Sequence, residues 1–131
     1  MQALDTNLLL RLIVADDPAQ ARKVKDLLDR HAADDAAFWI ADIVLVECVW
    51  ALDRIYGHSR ADIVVALRAL ASNATLRLES EAQVSEAISS YEDGPADFAD
   101  ALLVSKAVRA GCDSVRTFDK KMRTLPCVRL L

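Results

Sequence analysis

A chain of 131 residues that is 53% hydrophobic and 27% charged can bury a core, and that balance excludes disorder. With only 3 Gly and 3 Pro it has little room for flexible linkers, so one domain spanning residues 1–131 is expected. The net charge of −4 excludes a uniformly basic nucleic-acid binder but not a local one: residues 106–131 hold 7 basic and 2 acidic side chains, residues 1–105 hold 9 and 18.

Met1–Leu4 reads as a short strand, and Thr6–Val14 (TNLLLRLIV) as a helix with Leu8, Leu9, Leu12 and Ile13 on one side. Asp17-Pro18 is a helix-start signal, because Asp caps and Pro fits the first helical position. That helix runs to about Ala33, with Ala21, Val24, Leu27 and Leu28 at helical spacing. Ala37–Ile40 reads as a second strand and Ile43–Tyr56 as a helix ended by Gly57; Ser59 caps another to about Ala71. Leu76–Leu78 is a third strand and Glu81–Tyr91 a helix, followed by the Asp93-Gly94-Pro95 loop. Asp97–Ala110 is helical and stops at Gly111; Val115–Phe118 and Val128–Leu130 are the last strands. Strands alternating with helices predict an α/β fold: a parallel β-sheet of about five strands with helices on both faces.

The opening MQALDTN lacks the basic start of a secretory signal, and no apolar run approaches the ~20 residues of a membrane span. Cys48, Cys112 and Cys127 are odd in number and lack metal-ligand spacing. Buried thiols in a reducing cytoplasm are therefore expected.

The acids carry the chemistry. Asp5 follows the first strand, Glu47 is the only charge in Ile43–Leu52, Asp97 and Asp100 open a helix, and Asp119 follows the fourth strand. Ligands of open α/β sheets bind outside the carboxyl ends of the strands, so the topology gives these residues a common address. Clustered carboxylates repel one another and lose hydration, and a hard divalent cation relieves both costs. Metal-dependent phosphodiester chemistry is the expectation.

Ordinary roles compete at each position. Asp5 and Asp119 can cap the helices that follow them, and Asp97 with Asp100 has the spacing of a capping box. Asp100 is favoured for the pocket, since no cap is needed inside the helix. Glu47, with apolar residues on every side, reads as a buried carboxylate that either serves a metal or pairs with Arg11 or Arg54. Thr6 and Asn7 can contact a metal-bound water or a phosphate, and Thr117, two residues before Asp119, can hydrogen-bond a ligand. Lys120, in the basic tail, is placed to position substrate. There is no phosphate-binding loop of the G-x-x-x-x-G-K-[ST] kind and no Ser/His/Asp arrangement, which argues against covalent catalysis.

The order LDTN, VLVECVWAL, DFADALL with a Gly-terminated helix, then TFDKKM resembles the PIN-domain ribonucleases, in particular the VapC toxin group of toxin–antitoxin pairs. The resemblance implies a PIN-like parallel sheet with flanking helices and an endoribonuclease dependent on Mg²⁺ or Mn²⁺. It places the family acids on Asp5, Glu47, Asp100 and Asp119, with Asp97 as an additional acid. It also implies a homodimer, held inactive by an antitoxin whose basic side chain enters the acidic pocket.

The resulting expectation is hydrolysis of single-stranded or looped RNA. Asp5, Asp97 and Asp100 hold the metal, and Glu47 and Asp119 act as direct or water-mediated ligands. Two rivals stand beside it. A phospho-acceptor receiver domain needs a paired acid after the first strand and an acceptor Asp after the third, where only Glu79 follows. An interaction module would use the acidic pocket to bind an Arg-rich partner without catalysis.

Overall fold

The computed structural model describes all 131 residues. Five short strands alternate with six helices: β1 (Gln2–Ala3), α1 (Thr6–Ile13), α2 (Pro18–Ala33), β2 (Phe38–Ile40), α3 (Asp42–Arg54), α4 (Arg60–Ser72), β3 (Leu76–Leu78), α5 (Glu81–Asp93), α6 (Phe98–Arg109), β4 (Val115–Thr117) and β5 (Val128–Leu130). A 3₁₀ helix, Lys120–Thr124, separates the last two strands.

All strand pairs are parallel, as the alternation requires. They hydrogen-bond as two ladders: β1-β2-β3, with Ala3 opposite Trp39 and Ile40 opposite Leu78, and β4-β5, with Val115 opposite Val128. β1 is an edge of the first ladder. β1 has two residues, both exposed, and its pairing is with β2. β2 is the middle strand of its ladder, with Phe38 and Ile40 fully buried and Trp39 half-buried between them.

Local signals set the helices. Asp17 Oδ1 accepts from the Gln20 amide at 3.1 Å with Pro18 in the first turn, and Ser59 Oγ accepts from the Asp62 amide at 3.1 Å. Gly111 supplies φ +89° just after α6, a left-handed conformation that favours glycine. The buried apolar side chains form one cluster that takes Leu9 from α1, Cys48 and Leu52 from α3, Leu67 from α4, Ile88 from α5 and Phe98 from α6. Helix α1 packs on α2 and α3, and α5 packs on α4 and α6.

Only Cys48 fulfils the expectation of buried thiols; Cys112 and Cys127 are exposed, because both lie in the connections that lead into β4 and β5. No helix is long and apolar enough to cross a membrane.

Candidate active site

Asp5 stands at the turn from β1 into α1 and caps the helix, accepting from the Thr6 amide at 2.7 Å through Oδ1. Thr6 is buried, and its hydroxyl donates to Glu47 Oε2 at 2.7 Å across to α3. Asp5 and Glu47 are thereby tied together through one residue. The Thr6 hydroxyl thus uses its one proton to hold Glu47 and keeps only acceptor capacity toward a metal-bound water.

Glu47 is exposed, not buried. Leu45, Cys48, Val49, Ala51 and Leu52 of α3 face the core, whereas Ile43, Glu47, Trp50 and Arg54 recur at helical spacing on the solvent side. An apolar surround in sequence did not mean an apolar surround in space, because Ile43 and Trp50 remain 66% and 60% exposed. The expected Arg partners are also engaged elsewhere: Arg11 with Asp16 at 2.9 Å and Gln20 at 2.7 Å, Arg54 with Asp53 at 3.6 Å.

Asp97, Asp100 and Asp119 make a second group of acids, joined by the charges that act on Asp100. Asp97 occupies the N-cap position of α6 with extended backbone, yet its side chain makes no capping bond. The capping-box expectation fails, which leaves both carboxylates on the first turn free of the helix. Asp100 is half-buried. Burial, and after it the charges of Asp97 and Asp119, hold its carboxyl above the usual range, with Lys121 acting in the opposite sense. Asp119 does cap the 3₁₀ helix, accepting from the Lys121 amide at 2.9 Å. Its own amide donates to Thr117 Oγ1 at 3.0 Å. Thr117 therefore orients Asp119, while Lys120 is exposed at the first position of the 3₁₀ helix. Asn7 is exposed and lines a groove between α1 and α2 with Arg11, Gln20 and Lys23.

None of the five carboxylates enters an ion pair; the six ion pairs of the protein all lie elsewhere. No three His, Cys, Asp or Glu side chains stand close enough to enclose an ion as they are disposed. Magnesium keeps several waters and takes one or two carboxylates directly, so an open, oxygen-rich and uncompensated set fits its chemistry. The Cys48 thiol, behind Glu47 and Asp5, is pushed up to about 12 by burial and then by those two charges. Burial and those charges both favour the neutral thiol.

A polar node that sequence reasoning missed supports α3 and α6. Asp42 Oδ2 accepts from Ser80 Oγ at 2.8 Å and from Lys106 Nζ, and the Asp42 amide donates to Glu79 at 3.1 Å. Asp42 opens α3 and Lys106 lies in α6, so the node joins the helices that carry Glu47 and Asp100. A second support is Arg60. Its guanidinium donates to the carbonyls of Tyr91 and Ala96 at 2.8 Å and of Pro95 at 3.3 Å, pinning the loop that leads into Asp97. Residues 31 to 64 positions apart make these contacts, and no local pattern announces them.

The sequence model of the PIN domain family matches residues 3–126. The chain belongs to the PIN domain family. The matched stretch includes all five acids of this PIN domain. The chain is also similar to a VapC ribonuclease of Aquifex aeolicus (strain VF5), 22% identical over 125 residues that cover 95% of this chain and 92% of that protein.

Proposed function

We propose that this PIN domain is a divalent-metal-dependent endoribonuclease, the toxin half of a type II toxin–antitoxin pair working in the cytoplasm. The observation that carries the reading is a set of five acids from four segments (Asp5, Glu47, Asp97 with Asp100, and Asp119), none in an ion pair with a basic side chain of the protein. Family membership and similarity to a VapC ribonuclease support it. Asp5, Asp97 and Asp100 would hold Mg²⁺ or Mn²⁺, with Glu47 and Asp119 as direct or water-mediated ligands. When bound, such an ion supplies Lewis-acid polarisation of a phosphate and lowers the pKa of water.

The remaining work falls to the chain itself. Thr6 fixes the Glu47 carboxylate through Oε2, and Oε1 makes no hydrogen bond within the protein, which leaves it able to orient a water or accept its proton. Thr117 and the Lys121 amide hold Asp119 in place. Lys120 and Asn7 would position the RNA backbone. A homodimer and an inhibiting antitoxin complete the reading.

A second reading uses the same uncompensated acids to bind an Arg-rich partner without catalysis. Purified protein freed from any partner, incubated with total RNA in Mg²⁺, Mn²⁺ or EDTA, separates the two. Internal cleavage that EDTA abolishes supports the nuclease. Intact RNA under every condition supports the interaction module.

A further inference from the structure

Of the seven aromatic side chains, Phe38, Tyr91 and Phe98 are buried and Trp39 and Tyr56 half-buried. Phe118 is 78% exposed, more than Trp50 at 60%. A single exposed apolar residue is ordinary on a protein surface. The surroundings of Phe118 are not. It immediately precedes Asp119, whose charge reaches Asp100, and it follows Thr117. Arg116, Lys120, Lys121 and Arg123 flank it in sequence, all exposed, and none enters an ion pair.

The backbone on either side of the ring is held. The Asp119 amide donates to Thr117 Oγ1 at 3.0 Å, the Lys121 amide to Asp119 Oδ1 at 2.9 Å, and the Leu131 amide to the Thr117 carbonyl at 2.9 Å. A rigid turn thus presents one aromatic ring to solvent among unpaired cations, next to the acidic site. Free cations interleaved with an exposed aromatic ring are the features with which proteins track single-stranded nucleic acid: charges follow the phosphates and the ring stacks a base.

We propose that Phe118 is a base-stacking platform, which takes the unpaired base of a nucleotide flanking the phosphate at the acidic site while Lys120 and Lys121 receive adjoining phosphates. The inference rests on the ribonuclease reading above and sharpens its substrate: a strand unpaired at that nucleotide, with little preference for which base, since every base has a π-face. Consecutive Cα atoms are about 3.8 Å apart, so the ring is anchored one residue from the Asp119 backbone.

The test uses a single-stranded oligoribonucleotide of mixed sequence carrying 2-aminopurine, and a matched strand abasic at that nucleotide, both titrated with the full chain in EDTA. Binding of the wild type should quench the 2-aminopurine. Phe118→Ala should weaken binding of the intact strand by roughly 5- to 100-fold, Phe118→Leu should lose most of the same affinity, and Phe118→Trp should retain it. All four proteins should bind the abasic strand alike. With Mg²⁺ and cleavable RNA, Phe118→Ala should raise KM and leave kcat nearly unchanged.

Wild-type affinity in Phe118→Leu overturns the platform, as does an equal loss on the abasic strand. A loss of dimer mass with RNA affinity intact overturns it too, and assigns the ring to a contact between copies. If the wild type binds and quenches but never cleaves, only the ribonuclease reading falls. If it cleaves and Phe118→Leu keeps full affinity, only the platform falls.

Discussion

Thr6→Val tests how the site is held, because it removes one hydroxyl and keeps the side-chain volume. The lost bond is the 2.7 Å donation to Glu47 Oε2. Hydrogen bonds to charged acceptors are worth about 1.5–3 kcal/mol when both ends are sequestered. Glu47 is exposed, so water replaces the missing donor, and the net stability cost should fall to about 0.5–1 kcal/mol. For a chain of this size that is a drop of roughly 2–5 °C in Tm. The Asp5 cap is untouched, since it uses the Thr6 backbone amide.

Function should suffer more than stability. Glu47 loses the contact that fixes its rotamer, and removing such a partner behind a metal-binding side chain costs about 10- to 100-fold in metal affinity or activity. Cleavage should therefore fall by about that factor, and Mg²⁺ should raise Tm less than in the wild type. Thr6→Ser restores the hydroxyl and should recover both. Calorimetric melts with and without Mg²⁺, beside cleavage rates, read each effect. A Thr6→Val protein with full activity and an undiminished Mg²⁺ shift would refute the role given to this bond.

Asp100→Asn should abolish cleavage yet raise stability in metal-free buffer. The folded protein holds the Asp100 proton more tightly than the unfolded chain, so wild-type stability should fall as pH rises from the ordinary carboxylate range through the raised value. Urea denaturation from pH 4 to 8 in EDTA should show that fall in the wild type and a flatter curve in the variant. Lys106→Met should destabilise the fold, because it strips Asp42 of its cation while Asp42 Oδ1 already lacks any partner. Adding Asp42→Asn should recover part of the loss in thermal melts, and no recovery would deny their coupling. Lys120→Ala, Lys121→Ala and Arg123→Ala combined should weaken RNA binding and flatten its salt dependence by about 0.7 log units per lost phosphate contact. An unaltered slope would make the basic tail an ordinary solvated surface.

What could be read from the chain was what local chemistry encodes. Asp17-Pro18, Ser59 and Gly111 act within a turn of themselves, so helix boundaries followed to within a few residues. The places of Asp5 and Asp119 just after β1 and β4 were legible, because the strands that precede them were. The exposure of Glu47 was not, since composition says that α3 is apolar but not which side the core covers. Nor were the partners of the acids. Thr6 and Glu47 are separated by 41 residues, and Asp42 and Lys106 by 64, so these bonds exist only once helices are packed. The division of the strands into two ladders likewise carries no signal in local composition.

The central claim is that the five uncompensated carboxylates form a cation site. Titration of the metal-free protein with Mn²⁺, followed by the electron paramagnetic resonance of the free ion, tests this without reference to cleavage. Saturable binding is expected in the wild type, displaced by Mg²⁺ and lost or strongly weakened in Asp5→Asn and Asp100→Asn proteins that remain folded. Equal Mn²⁺ binding by the wild type and both variants, or none by the wild type, would contradict it.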